Sequence, residues 1–99
     1  MSQYDVFRSR STRALVVDCQ SDYLAHLPTR FVVPLLALAE APGVAERLNP
    51  ILMFDGEEFY LAPQYAATVR TSDLERGRGS LAQEHSTITS ALDFLIGGF

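Results

Sequence analysis

Residues 80–99 carry the clearest structural signal in the chain, because they have the pattern of one amphipathic helix near the C-terminus. Ser80 and Gln83, three residues apart, are typical of a capping box, in which two side chains satisfy free backbone N–H groups at a helix start. At about 100° per residue one arc of this helix is apolar and the opposite side is polar. The apolar arc contains Leu81, Ile88, Ala91, Leu92 and Leu95; Ser86, Ser90, Asp93 and Gly97 lie opposite, and Phe94 falls outside the arc. We therefore predict a helix that packs one face against a core.

The last three residues, Gly97, Gly98 and Phe99, are unusual for a chain end. Chain ends commonly fray into polar residues, and no polar residue follows here. We expect this apolar end to be buried or to meet a partner. Together with the small core of a 99-residue chain, it predicts a homodimer.

Short strand patterns alternate with turn signals upstream of the helix. The clearest is a hairpin of residues 51–54 and 57–61, because Asp55-Gly56 between two apolar runs favours a type I′ turn. Pro34 lacks an N–H group, so we expect it at an edge, an end or a bulge of its strand. Further strands are predicted at residues 4–7, 14–19, 30–36 and 65–70, and a loop with one helical turn at residues 37–47. This order predicts an α+β fold that is mostly β, an antiparallel sheet or small barrel with one helix across a face.

Composition limits the class of protein. The length predicts one domain over residues 1–99. No apolar run reaches the roughly 18 residues of a membrane span, and no signal peptide is present, so we expect a cytoplasmic protein without membrane contact. All eight basic residues are arginine, which excludes lysine Schiff-base chemistry. A net charge of −4 argues against bulk phosphate binding, and we expect no sequence-specific nucleic-acid binding.

Candidate catalytic groups are few. Ser21 and Asp22 with a histidine have the residue types of a nucleophile and a base, but no nucleophile-elbow pattern surrounds the serine. Glu57 and Glu58 are more typical of the solvated start of a strand. His85 is expected at the boundary of the helix's apolar arc. No catalytic residue is predicted.

Metal and nucleic-acid motifs are equally weak. Cys19 lies in an apolar stretch and is expected to be a small buried hydrophobic residue. One cysteine and two isolated histidines lack metal-ligand spacing, so we predict no metal and no cofactor. The Arg-Gly repeat at residues 76–79 is more typical of a mobile linker than of an RNA-binding segment. These residues predict a protein that works through a surface.

Several segments, taken in order, resemble the CcdB family, the gyrase-poisoning toxins of the ccd plasmid-maintenance system. They are residues 15–22 (LVVDCQSD), residues 30–35 (RFVVPL), the Leu48-Asn49-Pro50 hairpin and the helix that ends at Phe99. The resemblance covers essentially the whole chain. It implies a homodimer of small β-sheet subunits related to SH3-like barrels, each with a C-terminal helix.

The resemblance also implies a mechanism, in which the toxin binds the A subunit of DNA gyrase and traps the enzyme on cleaved DNA. The family's gyrase-contacting positions fall here on Tyr23, Leu24, Asp93, Gly97, Gly98 and Phe99. The family pattern ends in Trp-Gly-Ile, whereas this chain ends in Gly-Gly-Phe. The chain therefore lacks the family's stacking tryptophan. Either Phe99 supplies the aromatic surface from a displaced position, or the protein binds a different gyrase or another target, or it is no longer toxic.

A disordered, acidic antitoxin tail is the second partner that the resemblance implies. We expect it to bind the basic loop at Arg8, Arg10 and Arg13 and the segment of residues 41–47, including Val44 and Arg47. Charge would capture the tail and buried apolar side chains would hold it.

Two alternatives remain. A sister toxin family shares the barrel and cleaves mRNA, and the three loop arginines could clamp phosphates, although the net charge and the missing base argue against an endoribonuclease. The third hypothesis is a non-toxic family member that only binds the antitoxin.

Overall fold

Seven short strands and one α-helix make up the part of the chain that the computed structural model describes, residues 1–40 and 44–98. The strands are β1 (Asp5–Arg8), β2 (Leu15–Asp18), β3 (Thr29–Ala37), β4 (Ile51–Phe54), β5 (Glu57–Leu61), β6 (Ala67–Arg70) and β7 (Gly79–Ser80), and the helix is α1 (His85–Gly97). Single 3-10 turns lie at Asp22–Leu24, Leu38–Glu40, Pro63–Tyr65, Thr71–Asp73 and Ala82–Glu84. No helix within these residues is long and apolar enough to cross a membrane.

All strand pairs are antiparallel, in the order β4-β5-β3-β2-β1-β7, and β6 also pairs with β3. The long strand β3 is the centre of this sheet. One edge of β3 pairs with β2. The other edge pairs with β6 along the first part of β3, up to Val32, and with β5 along the last part, from Leu35. The sheet curls into a half-barrel, and the predicted α+β fold, mostly β with one C-terminal helix, is confirmed.

The position predicted for Pro34 is wrong, because this proline lies inside the central strand β3 and pairs with Val16. The reason lies on the shared edge of β3. There the pairing with β6 ends at Val32 and the pairing with β5 begins at Leu35, so Pro34 falls between two partner strands. Its carbonyl still accepts a hydrogen bond from the Ala62 N–H (3.0 Å). The missing N–H therefore interrupts no ladder between strands.

The predicted hairpin of residues 51–61 is confirmed as β4 and β5. Asp55 and Gly56 both have positive φ, 53° and 78°, as a type I′ turn requires at its two central residues. The strand patterns near residues 4–7, 14–19, 30–36 and 65–70 are confirmed as β1, β2, β3 and β6, with β6 shorter than predicted.

The two faces of the sheet carry two apolar clusters, because successive residues in a strand point to opposite faces. The larger cluster includes Val6, Val17 and Val33 and is covered by Ile88 and Ala91 of α1. The smaller cluster is formed by the neighbouring residues on the other face: Phe7, Val16, Val32 and Leu74, with Ala14 and Val69 packed beside them. The helix therefore closes one face of the sheet only.

The predicted start of the helix at Ser80 is wrong. Ser80 belongs to β7 and pairs with Asp5, and its hydroxyl accepts a hydrogen bond from the Ala82 N–H (3.0 Å) instead of capping a helix. A 3-10 turn follows, and α1 begins at His85 without a side-chain cap. The capping box fails because the backbone at residues 79–80 is already paired with β1.

The Arg-Gly segment at residues 76–79 is not the free linker that its composition predicts. Arg78 N–H donates to the Val6 carbonyl (2.8 Å), and Glu75 N–H donates to the Arg8 carbonyl (3.0 Å). These bonds continue the pairing of β7 along β1. The segment of residues 73–78 is thus attached to the edge of the sheet.

The predicted apolar arc of α1 is mostly confirmed. Leu81 ahead of the helix, with Ile88 and Ala91, is buried, and Leu92 packs against the same core. Leu95 is an exception, because it is exposed near the end of the helix. Phe94, outside the arc, is half-buried and lies under the guanidinium of Arg47, 4.5 Å from the ring centroid.

A buried ion pair joins the last residue of β2, Asp18, to Arg30 of β3. Arg30 is 1% exposed and Asp18 is 0% exposed, and Arg30 Nε and Nη2 both donate to Asp18 Oδ2, at 2.9 and 2.6 Å. The other carboxylate oxygen accepts the Gln20 N–H (3.0 Å). Within the described residues no buried side-chain nitrogen or oxygen atom lacks a hydrogen-bond partner, and this pair is no exception.

Candidate interaction surface

The Gln20 side chain links the loop after β2, residues 21–27, to the central strand. Gln20 Oε1 accepts a hydrogen bond from the Phe31 N–H of β3 (2.9 Å), and Gln20 Nε2 donates to the Leu24 carbonyl (2.9 Å). Gln20 itself is nearly buried. This side chain therefore fixes residues 21–27, named the Tyr23 loop below, to the central strand.

Two further polar residues of the same motif shape the loop. Ser21 Oγ accepts a hydrogen bond from the Tyr23 N–H (3.2 Å) and caps the 3-10 turn. Asp22 Oδ1 accepts one from the Gln3 N–H (2.8 Å). Within the described residues neither side chain bonds to a histidine, so the structure does not assemble a serine nucleophile with a base.

The Tyr23 loop displays its apolar side chains to solvent. Tyr23 is 93% exposed and Leu24 is 44% exposed, Leu27 of the same loop is also exposed, and Phe31 of the adjoining strand β3 is exposed as well. An aromatic and several aliphatic side chains on one short segment form the kind of surface that marks a protein-binding site. The family resemblance pointed to Tyr23 and Leu24, whereas Leu27 and Phe31 were not predicted. In β3 the charged Arg30 is buried and the apolar Phe31 beside it is exposed. This is the reverse of the usual arrangement, in which apolar side chains are buried and charged ones are exposed.

The end of α1 is the second predicted contact region. Asp93, Gly97 and Gly98 are exposed, as expected for residues that meet a partner, and Ile96 beside them is 82% exposed. Gly98 has φ +78° and its N–H donates to the Phe94 carbonyl (2.9 Å), which ends the helix. Phe99 lies outside the described residues. Within those residues no hydrogen bond connects α1 to the Tyr23 loop.

The three loop arginines lie beside residues 73–78. Arg8 Nη1 donates to the Arg13 carbonyl (2.5 Å), and the Arg13 guanidinium pairs with Glu75. Arg78 also pairs with Glu75, at 3.3 Å. The hydrogen bond from Arg13 is the main cause that lowers the pKa of Glu75. The structure thus adds Arg78 to the predicted cationic loop and gives two of its arginines a shared acidic partner.

Asp73 connects the same two segments. It accepts hydrogen bonds from Ser9 Oγ (2.7 Å) and the Ser11 N–H (3.0 Å), and the bond from Ser9 is the main cause that lowers the pKa of Asp73. The Arg10 N–H donates to the Asp73 carbonyl (2.7 Å), and the Arg10 side chain is exposed. The β1–β2 loop is therefore fixed to residues 73–78 by side-chain and backbone bonds.

The other predicted antitoxin-binding residues, Val44 and Arg47, are both exposed. Arg47 lies over Phe94 of α1 and is already in contact with the helix. Residues 41–43, which the prediction also included, lie outside the described residues.

Cys19 is buried, as predicted. Burial, followed by the charge of Asp18, raises the pKa of its thiol to about 12, so the thiolate form is suppressed at neutral pH. The described residues contain no group of three or more His, Cys, Asp or Glu side chains placed to hold a metal ion.

Comparison with known proteins adds a family to this geometry. The family model described as CcdB protein matches residues 3–98, whereas a search of curated proteins found no match. Among solved structures, the Mycobacterium tuberculosis toxin MazF-mt6 is similar with a TM-score of 0.75, over 93% of this chain and 95% of that chain, at 14% identity. Such a low identity shows a shared fold alone. Because the family model spans nearly the whole sequence, this chain belongs to the CcdB family, which points to a toxin of a toxin–antitoxin system with an antitoxin partner.

Proposed function

We propose that this chain is a toxin that inhibits DNA gyrase by binding its A subunit, and that an antitoxin with a disordered acidic tail neutralises it. The proposal includes the cytoplasmic homodimer that the sequence predicts. The observation that carries the proposal is the Tyr23 loop, in which Gln20, Ser21 and Asp22 use their side chains to hold an almost fully exposed tyrosine.

An exposed aromatic residue on a fixed loop suits a binding anchor. Buried tyrosines and tryptophans at interface centres contribute about 2 kcal/mol or more. The Tyr23 loop is already ordered by hydrogen bonds, so little conformational entropy is lost when it binds. Asp93 and Gly97 are exposed on α1 and are proposed to make the second contact.

An endoribonuclease toxin is the alternative, favoured by the clustered arginines and by the fold shared with the toxin MazF-mt6. Catalysis there would need a free base near the arginines. Asp73 is engaged by Ser9 and Ser11, and Glu75 by Arg13 and Arg78, whereas Asp55 and Glu57 line a pocket with Arg8 and Arg78. Inhibition of gyrase is the preferred proposal because the family model matches nearly the whole chain, while the likeness to MazF-mt6 concerns the fold alone.

The test compares two exposed tyrosines. Tyr23→Ser should weaken inhibition of gyrase-catalysed supercoiling about thirtyfold, the equivalent of a lost anchor of about 2 kcal/mol. Tyr65→Ser is the matched control, because Tyr65 is exposed on a different element, the 3-10 turn before β6. Supercoiling and trapped cleaved plasmid are measured for wild type and both variants, with RNA cleavage assayed in parallel.

Equal loss in both variants would contradict the assignment of the Tyr23 loop. RNA cleavage by the wild type without any effect on gyrase would favour the endoribonuclease. A wild type with neither activity that still binds antitoxin would favour the non-toxic family member.

A further inference from the structure

The outer face of the β4–β5 hairpin exposes large apolar side chains. Ile51 is 49% exposed and Met53 is 57% exposed, while Leu52 between them is buried, because successive residues of β4 point to opposite faces of the sheet. Tyr60 of β5 is half-buried and lies directly opposite Ile51 on the same face. Ile51, Met53 and Tyr60 are named the hairpin patch below. Methionine and tyrosine are enriched in protein interfaces, so these residue types indicate a binding surface.

A hollow of about 510 Å³ adjoins the hairpin patch, where the turn before β4 meets β5. It is lined by Val44, Glu46, Asn49, Pro50, Ile51 and Tyr60. The side-chain amide of the buried Asn49 donates to the Leu61 carbonyl (3.0 Å), and its oxygen accepts the Ala45 N–H (2.9 Å). These bonds fix residues 45–49 against β5. The hollow is therefore formed by the fold itself, which reduces the entropy lost when a partner binds.

Acidic residues are concentrated in this part of the chain. Residues 40–58 contain five acidic residues and one arginine, a net charge of −4, whereas the rest of the chain contains seven of each sign. Glu58 lies opposite Met53 in the register of the hairpin, and Glu46 lines the hollow. Both glutamates are exposed, and neither forms an ion pair within residues 1–40 and 44–98. Uncompensated negative charge therefore borders the hairpin patch.

This charge selects the class of partner. Glu46 and Glu58 repel the phosphates of a nucleic acid, and they repel an acidic antitoxin tail for the same reason. They attract arginine or lysine side chains. The hairpin patch adds apolar contact, and the flexible side chain of Met53 adjusts to partners of different shape. A basic segment of another protein with apolar side chains therefore matches both properties of the surface.

We propose that the hairpin patch binds a segment of another protein in which apolar side chains are adjacent to arginine or lysine. The apolar side chains pack against Ile51, Met53 and Tyr60, and the cations pair with Glu46 and Glu58. This interaction goes beyond the proposed function, because the proposed gyrase contacts lie in the Tyr23 loop and on α1. A basic partner on this face is also distinct from the acidic tail that the β1–β2 loop is expected to capture.

The test is an NMR titration of the full chain with three synthetic peptides of equal length. One alternates lysine with leucine, the second alternates lysine with serine, and the third alternates glutamate with leucine. The lysine–leucine peptide should shift the methyl signals of Ile51 and Met53. It should bind about tenfold more tightly than the lysine–serine peptide, because leucine buries apolar surface, and about tenfold more tightly than the glutamate–leucine peptide, because of charge. Added salt should weaken its binding.

Neighbouring glutamates supply a matched pair of variants. Glu58→Gln removes the charge beside Met53 and should weaken binding of the lysine–leucine peptide about fivefold. Glu57→Gln removes the same charge one residue earlier, where Glu57 lines a separate hollow with two arginines, and should change the affinity little. Met53→Ser should remove the preference for leucine over serine. Tyr65→Ser, at an exposed position of the 3-10 turn before β6, should keep that preference.

Equal affinity for the lysine–leucine and lysine–serine peptides, or equal effects of the two glutamate variants, would overturn the inference. Shifts of the Ile51 and Met53 methyl signals with the glutamate–leucine peptide alone would assign this face to the acidic antitoxin tail instead. Shifts that grow with the concentration of the free protein would assign it to a second copy of this chain. The titration contains no gyrase, so a failure of the gyrase proposal would appear in the supercoiling assay and leave this result unchanged.

Discussion

The Tyr23 loop and the end of α1 are both exposed and apolar, but they are held in different ways. Side chains of Gln20 and Ser21 fix the Tyr23 loop. At the end of α1, the described bonds beyond the helix are limited to the Gly98 N–H to the Phe94 carbonyl, and Ile96 is exposed. Side chains therefore hold the Tyr23 loop, whereas the end of α1 is held by backbone bonds of the helix alone, and its two glycines have no side chains to pack. This difference predicts that affinity for the proposed gyrase partner depends more on the Tyr23 loop than on the end of α1.

The largest expected effect comes from removing the buried ion pair of Asp18 and Arg30, which lies next to the Tyr23 loop. Arg30→Met leaves the carboxylate of Asp18 buried without its partner, which should lower the free energy of unfolding by about 3–5 kcal/mol. Urea unfolding followed by circular dichroism measures the change. Arg70→Met is the matched control, because Arg70 is exposed. The double variant Asp18→Leu, Arg30→Met should recover much of the loss, and equal stability of Arg30→Met and wild type would contradict the importance of the pair.

The second prediction adds a binding residue at the end of α1. Gly97→Trp adds an aromatic anchor and removes glycine freedom at the end of α1, so affinity for the gyrase A fragment should rise about thirtyfold, or about 2 kcal/mol. Calorimetry on wild type, Gly97→Trp and Phe99→Ala measures it. Tight binding by the wild type that Phe99→Ala abolishes would show that Phe99 is already the anchor. Absence of binding by both wild type and Gly97→Trp would make a gyrase target doubtful.

The smallest effect concerns the support of the Tyr23 loop. Gln20→Ala removes the bonds to the Phe31 N–H and the Leu24 carbonyl, at a cost of about 1 kcal/mol. Amide hydrogen exchange at Phe31 should accelerate, and gyrase affinity should fall a few-fold because the loop must then be ordered on binding. Gln83→Ala, at an exposed position before α1, is the control. Unchanged exchange at Phe31 would show that the loop keeps its position without Gln20.

The sequence predicted those parts of the fold that depend on neighbouring residues. Asp55-Gly56 made the β4–β5 hairpin predictable, because a two-residue turn requires positive φ at both positions and these two residues adopt it readily. The apolar spacing of Ile88 and Ala91 correctly identified the buried face of α1. The family resemblance, supported by the motif around Gln20, is confirmed by the match over residues 3–98.

What the sequence could not predict depends on distant pairing. Ser80 has the local pattern of a helix cap, but β1 takes its backbone into the sheet, 75 positions from Asp5 by the register of that pair. Pro34 is tolerated in a central strand only because two strands share one edge of β3. The half-buried position of Phe94 could not be predicted either, because the Arg47 side chain that lies over its ring belongs to a segment outside the helix. The contact residues of the candidate site stay predictions until they are measured.

The ion pair of Asp18 and Arg30 also limits how this sequence can change over evolutionary time. Replacing either residue alone leaves a buried charge without its partner, so a lineage that changes one position first passes through a poorly folded intermediate. Two simultaneous changes are much rarer than one. Exposed Tyr23, a few residues away, carries no such restriction. The side chains of the Tyr23 loop can therefore change without exposing a buried charge, while the pair beneath the loop stays fixed or is exchanged as a unit.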